Sequence, residues 1–315
     1  MTGTEVADEQ LRGLNAETLA SLREAGLVPG DVARAVRAAL DEDFRFGPDV
    51  TSTSTVAGRT VTAEVVARSA GVLAGLPAAL AVFDLLPEYL GGATELKVTA
   101  AALVSDGTRL SPGDAVLRVS GDAVAVLGAE RTMLNFLTHL SGIASVTRDW
   151  ADAVAGTGAV VRDTRKTLPG LRSLQKYAVR CGGGENHRLG LGDAALVKDN
   201  HVAAAGGIGN AVRAVQAAAR PGLVIEVECD TVDQVREALA AGARFILLDN
   251  MPVPVLREAV SVAREYDGVR LEASGGLQLS NAREVAATGV DYLAVGGLTH
   301  SSPTLDLGLD YSGAA

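Results

Sequence analysis

An α/β fold, with an incomplete or irregular barrel filling the second half of the chain, is what the sequence predicts. Two observations predict it. First, six short apolar runs recur at residues 159–162, 194–197, 224–227, 245–248, 270–273 and 292–295. They are rich in β-branched residues or Leu, helical stretches separate them, and from 194 onward successive ends lie roughly 20 to 30 residues apart, the size of a βα unit. Second, the runs from 194 onward stop on polar or glycine residues: Lys198, Glu228, Asp249, Ser274-Gly275-Gly276 and Gly296-Gly297. In α/β barrels the carboxyl ends of the strands carry the chemistry, so these residues read as the rim of one anion-binding site. Six strands fall two short of a full eight-fold barrel. An open doubly wound sheet is the alternative, because periodicity does not distinguish closure.

The first half reads as a separate α+β layer. After about a dozen residues expected to fray, residues 31–41 place Val32, Val36 and Leu40 on one helical face. Residues 61–67 and 96–104 read as strands, 76–86 as a helix between them, and 103–119 as hairpin material with turns at Ser105-Asp106-Gly107 and Ser111-Pro112-Gly113-Asp114. Two long helices follow, at about 123–141 and 143–155, broken at Gly142. The tail, 304–311, alternates apolar and polar residues and is expected to return to the first layer as a strand. This gives an N-terminal domain over 1–136, with 302–315 returning to it, and a barrel domain over 137–301.

The 315 residues are 48% hydrophobic and 21% charged, which suits a globular enzyme and excludes a disordered chain. Aromatics are only 3%, so Ala, Val, Leu and Gly must fill the core. A net charge of -10 argues against nucleic-acid or membrane-surface binding through bulk charge. Locally the balance reverses. Between Arg162 and Lys198 stand eight Lys/Arg (162, 165, 166, 172, 176, 180, 188, 198) against three acids (163, 185, 193), a basic island that points to a small anionic ligand. Cys181 and Cys229 form neither a disulfide framework nor a metal-ligand spacing and read as thiols in a reducing cytosol. The uncharged stretch 69–83 contains Gly71, Gly75 and Pro77 and is shorter than the about 20 residues a membrane span needs. The N-terminus lacks a signal-peptide apolar region, so a cytoplasmic protein is expected.

The densest chemistry lies at Asp163-Thr164-Arg165-Lys166-Thr167, just after a strand. Arg165 offers a planar fork suited to carboxylate or phosphate and Lys166 a compact charge. A solvated basic loop would look similar, but His187-Arg188 and Lys198-Asp199-Asn200-His201 extend the pattern. Ser274-Gly275-Gly276 and Gly296-Gly297 are suited to a phosphate cradle of backbone N–H groups at the last two strand ends, with His300 nearby. Glu228 and Asp249, from adjacent strands, could hold ribose hydroxyls or Mg²⁺, which prefers oxygen ligands, or could favour an oxocarbenium-like sugar. An ion-pair network is the plainer account of both.

As a set these segments resemble the quinolinate phosphoribosyltransferase family. The resemblance rests on Glu130-Arg131-Thr132-Met133-Leu134-Asn135, Ser141-Gly142-Ile143-Ala144, Thr164-Arg165-Lys166-Thr167, His187-Arg188, Lys198-Asp199-Asn200-His201, Glu226-Val227-Glu228, Leu248-Asp249-Asn250, Ser274-Gly275-Gly276 and Gly296-Gly297, in order. Gly47-Pro48-Asp49-Val50-Thr51 is similar to the family's Gly-Asp-x-Thr region with an intervening proline. It implies an N-terminal open-faced α/β sandwich and a C-terminal incomplete α/β barrel. It also implies a head-to-tail homodimer in which Arg131 reaches the neighbouring subunit's site, with pairing into hexamers as the further assembly.

The reaction implied joins quinolinate to phosphoribosyl pyrophosphate, releasing pyrophosphate and carbon dioxide and giving nicotinate mononucleotide for NAD synthesis, with Mg²⁺. Arg165, Arg188, Lys198 and the second subunit's Arg131 would clamp the dicarboxylate, with His187 and Thr164 beside them. Lys166 would meet the pyrophosphate, while Ser274, Gly275, Gly276, Gly296, Gly297 and His300 would take the 5-phosphate. Glu228 and Asp249 would stabilise the ribosyl cation and hold the metal, directly or through water. Lys166, Glu228 and Asp249 are thus the expected catalytic residues. Three other readings remain: a barrel lyase using Lys198 as a Schiff-base amine, a non-catalytic phosphometabolite binder, and a paralogue acting on another base.

Overall fold

The computed structural model describes residues 9–91 and 97–314. The chain divides into two compact units: Met1–Val146 with Leu168–Gly183 and Ser301–Ala315, and Thr147–Thr167 with Gly184–His300. Residues 1–8 of the stretch expected to fray, residue 96 of an expected strand and residue 315 of the tail lie outside the described residues; residues 9–11 are helical.

In the first unit, β1 (Thr60–Ala67), β3 (Val98–Ala102), β5 (Ala115–Asp122) and β12 (Leu307–Ala314) form, among the described residues, an antiparallel sheet in the order β12-β1-β5-β3. Alternation along β1 buries Val61, Ala63, Val65 and Ala67. Its other face is polar: Arg118 donates to Glu64 at 2.8 Å, and the Thr62 and Ser120 hydroxyls lie 2.6 Å apart. One buried face and one wet face make the layer open-faced. Helices α1 (Ala16–Glu24), α2 (Pro29–Asp43) and α4 (Leu76–Leu85) belong to the same unit, the last packing on α1, α2 and β3. The α2 stripe buries Val32, Val36 and Leu40, the expected face. Asp49 caps the short α3 (Val50–Thr55), accepting from the Ser52 N–H at 3.0 Å.

The expected break at Gly142 is absent. One helix, α5 (Ala123–Val154), runs through it, capped by Asp122, whose carboxylate accepts from the Val124 N–H at 2.9 Å. Gly142 answers to packing instead of termination: a Cβ there would sit 1.9 Å from the Pro303 carbonyl oxygen. On either side of it, Ser141 accepts from the Ala74 N–H at 3.0 Å and Ser145 from the Val72 N–H at 2.8 Å. These bonds carry the first unit past residue 136. Residues 168–183 also belong to it, because Tyr177 donates to Asp106 at 2.6 Å and Gln175 bonds His139 at 2.9 Å.

The second unit holds a parallel sheet of six strands among the described residues: β6 (Val160–Arg162), β7 (Ala194–Val197), β8 (Val224–Cys229), β9 (Phe245–Asp249), β10 (Arg270–Ser274) and β11 (Tyr292–Ala294). Their order is β6-β11-β10-β9-β8-β7. Strands β7 to β11 lie side by side in chain order, and the first strand, β6, sits beside the last. That wrap-around is a barrel's topology, whereas a doubly wound sheet reverses direction near its middle. Between β6 and β7 the ladder is open apart from an Arg162–Glu185 bridge, so the barrel is incomplete. The covering helices α8 (Ile208–Ala218), α9 (Val232–Ala240), α10 (Val253–Ala263) and α11 (Ala282–Ala286) pack in sequence. No helix among the described residues is long and apolar enough to cross a membrane.

Gly142→Ala is expected to lower stability by about 1–3 kcal/mol, the usual cost of overpacking. Gly192→Ala, where a Cβ meets nothing within 4 Å, serves as the near-neutral control. Thermal unfolding of the two side by side would test this; equal melting temperatures would refute the packing account.

Candidate active site

Successive residues of a strand point to opposite faces, so residues two apart share one. On the inward face lie Leu196 and then Lys198, Glu226 and Glu228, Leu247 and Asp249, Glu272 and Ser274. Lys198, Glu228, Asp249 and Ser274, at the carboxyl ends of β7 to β10, line one cavity of about 410 Å³ with Thr164, Arg165, Lys166, His187 and Arg188. Nine of the expected residues therefore converge. Gly296 adjoins them: a Cβ there would lie 3.0 Å from Lys166 Cδ, 3.4 Å from His300 Nε2 and 3.5 Å from Thr164 Oγ1. Gly297 opens the short helix α12 (Gly297–His300), at whose end His300 is exposed.

The other expected residues lie as follows. Gly275 and Gly276 form the turn after β10 with φ of 79° and 62°, and a Cβ on Gly275 would meet Asn250 Oδ1 at 2.5 Å. Both conformation and space require glycine at 275. No helix starts at this turn; the next helical residues begin at Leu279. Arg131 belongs to the first unit, is exposed, and lines a separate cleft with Asp43, Phe44 and Asp49. The basic island also divides. Arg172, Lys176 and Arg180 lie on α6 (Arg172–Cys181) in the first unit, where Lys176 is fully buried and Arg180 donates to the Ala25 carbonyl. Only the remainder faces the barrel interior.

The loop after β6 is fixed by Lys166 N–H donating to Thr164 Oγ1 at 3.0 Å and by Thr299 Oγ1 donating to the Lys166 carbonyl at 2.7 Å. It presents Arg165 to the cavity that Arg188 also lines. Arg188 is pushed below the usual guanidinium range, by burial first and then by the charge of Arg165. The Nε atoms of both are buried without a hydrogen-bond partner among the described residues. Two neighbouring guanidinium groups with donors to spare form a receptor for a carboxylate or phosphate. In the same cavity Lys198 Nζ donates to Glu228 Oε2 at 3.0 Å.

Beneath the rim lies a charged layer in which only His187 was expected to take part in substrate binding. His187 Nε2 is 2.8 Å from Glu226 Oε2 and 3.7 Å from Glu272 Oε1, and Arg162 donates to Glu272 Oε2. Asp163, fully buried, accepts from the His187 N–H at 2.9 Å and from Asn186 Nδ2 at 2.6 Å. An acid two residues before a strand's polar end was the available signal, since it must face inward with that end. The His187, Glu226 and Glu272 ligand atoms lie within 4.8 Å of one another, a spacing a metal could use. Arg162, however, already supplies the countercharge. A larger cavity, about 730 Å³, opens at the amino ends of the strands beside Val224, Phe245, Arg270 and Tyr292; His187 and Arg188 line it too. The smaller cavity is the better candidate, because it gathers the loops that follow the strands.

Glu226 and Glu272 are each pushed up to about 7 from 4.5, mainly by burial, and Glu272 next by Glu226. Between these values the folded chain holds protons that the unfolded chain releases, so stability falls as pH rises from 4.5 to about 7 and then levels. Glu272→Gln removes one of these groups and should flatten that slope in urea melts across the window. Parallel curves for variant and parent would sink this assignment.

Residues 49–141 match the N-terminal domain, and residues 143–310 the C-terminal domain, of quinolinate phosphoribosyl transferase. The nicotinate-nucleotide pyrophosphorylase [carboxylating] of Mycobacterium leprae is 55% identical over 284 residues, covering 89% of this chain and 97% of that protein. A mitochondrial quinolinate phosphoribosyltransferase [decarboxylating] of Nicotiana tabacum is 35% identical, covering 89% and 82%. The structure of the nicotinate-nucleotide pyrophosphorylase from Francisella tularensis aligns with a TM-score of 0.83 at 37% identity, covering 90% of this chain and 96% of that one. Matched in both halves, the chain belongs to the quinolinate phosphoribosyl transferase family.

Proposed function

We propose that the protein transfers the phosphoribosyl group of phosphoribosyl pyrophosphate to quinolinate with decarboxylation, giving nicotinate mononucleotide, pyrophosphate and carbon dioxide for NAD synthesis. The observation that carries this reading is the Arg165–Arg188 pair, two cations sharing one cavity with unpartnered Nε donors. Quinolinate, with adjacent carboxylates, satisfies both forks. Lys198 adds a third cation from β7, and His187 and Thr164 border the same space.

Lys166 meets the pyrophosphate, and the turn Ser274–Gly276, with Gly296, Gly297 and His300, receives the 5-phosphate through backbone N–H groups. As pyrophosphate leaves C1 of the ribose, positive charge develops on the ring, and the carboxylates of Glu228 and Asp249 stabilise it. The pyridine nitrogen then forms the bond to C1. The ring nitrogen, now positive, stabilises the electron pair left on the adjacent carbon when its carboxylate departs as carbon dioxide, and that pair takes up a proton to complete the product. No protein nucleophile is needed, and positioning supplies the catalysis.

Glu228 and Asp249 also fit Mg²⁺, since they offer hard carboxylate oxygens from neighbouring strands on one cavity wall. The metal would neutralise charge on the pyrophosphate, held by these acids directly or through water. In a homodimer the exposed Arg131 would complete the quinolinate clamp of the second subunit; pairing into hexamers and a cytoplasmic setting belong to the same reading. The Schiff-base alternative fits less well: Lys198 is ion-paired to Glu228 and about half exposed, not the desolvated amine that such chemistry uses.

Protein incubated with Mg²⁺, quinolinate and phosphoribosyl pyrophosphate should yield nicotinate mononucleotide and carbon dioxide in equal amounts, and chelation should stop it. Arg165→Ala should weaken quinolinate use by about 1.5–3 kcal/mol, roughly 10- to 150-fold, with a smaller effect on phosphoribosyl pyrophosphate. Parental quinolinate kinetics in that variant would remove Arg165 from the clamp. If Arg131 crosses the interface, mixing inactive Arg131→Ala and Lys166→Ala chains should restore part of the activity.

A further inference from the structure

We infer that Glu226 is a positioning residue for the dicarboxylate clamp: its carboxylate fixes the tautomer of His187, and through it the backbone that presents Arg188. The inference rests on the proposed role of Arg188 in binding quinolinate.

The Arg188 N–H donates to His187 Nδ1 at 2.7 Å. A backbone amide can only donate, so Nδ1 must be the bare acceptor nitrogen and the ring proton must sit on Nε2. Nε2 in turn lies 2.8 Å from Glu226 Oε2, an acceptor placed to receive that proton. The imidazole thus bridges β8 to the 187–188 backbone and has one orientation in which both bonds are made.

Three features support the assignment. Glu226 is about 2% exposed and does not line the active-site cavity, so its hydrogen bond reaches the clamp through His187, beside the longer-range pull of its charge on Arg188 and Lys198. Its neighbour Glu272 is paired to Arg162, which supplies positive charge beside the two acids and lets a carboxylate persist in a dry core. On the other side Asp163 holds the same segment, accepting from the His187 and Asn186 N–H groups. With the backbone pinned by Asp163 and the ring by Glu226, the Arg188 side chain leaves from a fixed point toward Arg165, despite their mutual repulsion. An apolar residue at 226 would leave Nε2–H without its acceptor in a buried site and free the ring to turn or change tautomer.

Two variants and one spectrum test this. Glu226→Gln keeps an acceptor oxygen and should hold KM for quinolinate within about threefold of the parent, whereas Glu226→Leu should raise it about tenfold or more, a loss of about 1.4 kcal/mol. In both, KM for phosphoribosyl pyrophosphate should stay within about twofold, because no phosphate group depends on His187. Long-range ¹H–¹⁵N spectra of the parent, which has four histidines, should show His187 as a fixed Nε2–H tautomer near neutral pH. That signature should survive in Glu226→Gln and be lost in Glu226→Leu. A parent spectrum with Nδ1–H or averaged tautomers would overturn the inference even if no variant folds. A folded Glu226→Leu with parental quinolinate KM, or with both KM values raised alike, would do so too. Because the spectrum needs no substrate, failure of the quinolinate reading itself would show separately, as a parent without turnover.

Discussion

A parallel sheet that brings its first strand beside its last encloses the side chains of one face, and little water can reach them. Every second residue of β6 to β11 is committed to that interior, whatever its chemistry. Here the sequence commits Arg162, Glu226 and Glu272 to it, with His187 entering from the loop before β7. An unpaired charge in such a place costs several kcal/mol, so these groups must answer one another. They do: Arg162 with Glu272, and His187 with Glu226. The rim stands on this paired layer, since Glu228 and Ser274 are the next inward residues above Glu226 and Glu272.

The rim reverses that logic. Arg165 and Arg188 face one cavity with like charges, and burial and proximity together push Arg188 down. The same cavity holds the acids Glu228 and Asp249, one of them tied to Lys198. Cations and carboxylates lining one cavity suit a reaction that binds a dianion while a cation develops on the sugar. Such a site works through fixed electrostatics, with no covalent partner, and needs rigid supports. Thr299 on the Lys166 carbonyl and Asp163 on the His187 amide are two of them.

Much of this was legible in the chain. The six strand runs pointed to Thr164, Arg165, Lys166, Lys198, Glu228, Asp249 and Ser274, which line one cavity, because strand periodicity and the position of barrel sites are local and general rules. The α2 face and the helix over 76–85 followed from spacing in the same way. Gly142 did not. Glycine inside a helical pattern suggests a break, and only the Pro303 carbonyl, more than a hundred residues away, shows that the small residue serves a close approach. The basic island likewise mixed two populations, since Arg172, Lys176 and Arg180 turn out to serve the first unit.

What the sequence determined by itself was the family, the strand count and the identity of the groups at the strand ends, because each depends on residue type and short-range order. Only the tertiary structure decided that β6 lies beside β11, that Arg131 shares a cleft with Asp43 and Asp49, and that Glu226 meets His187. Those are pairings between residues distant in the chain. Their energies come from desolvation and contact, which exist only once the sheet has wrapped and the interior is dry.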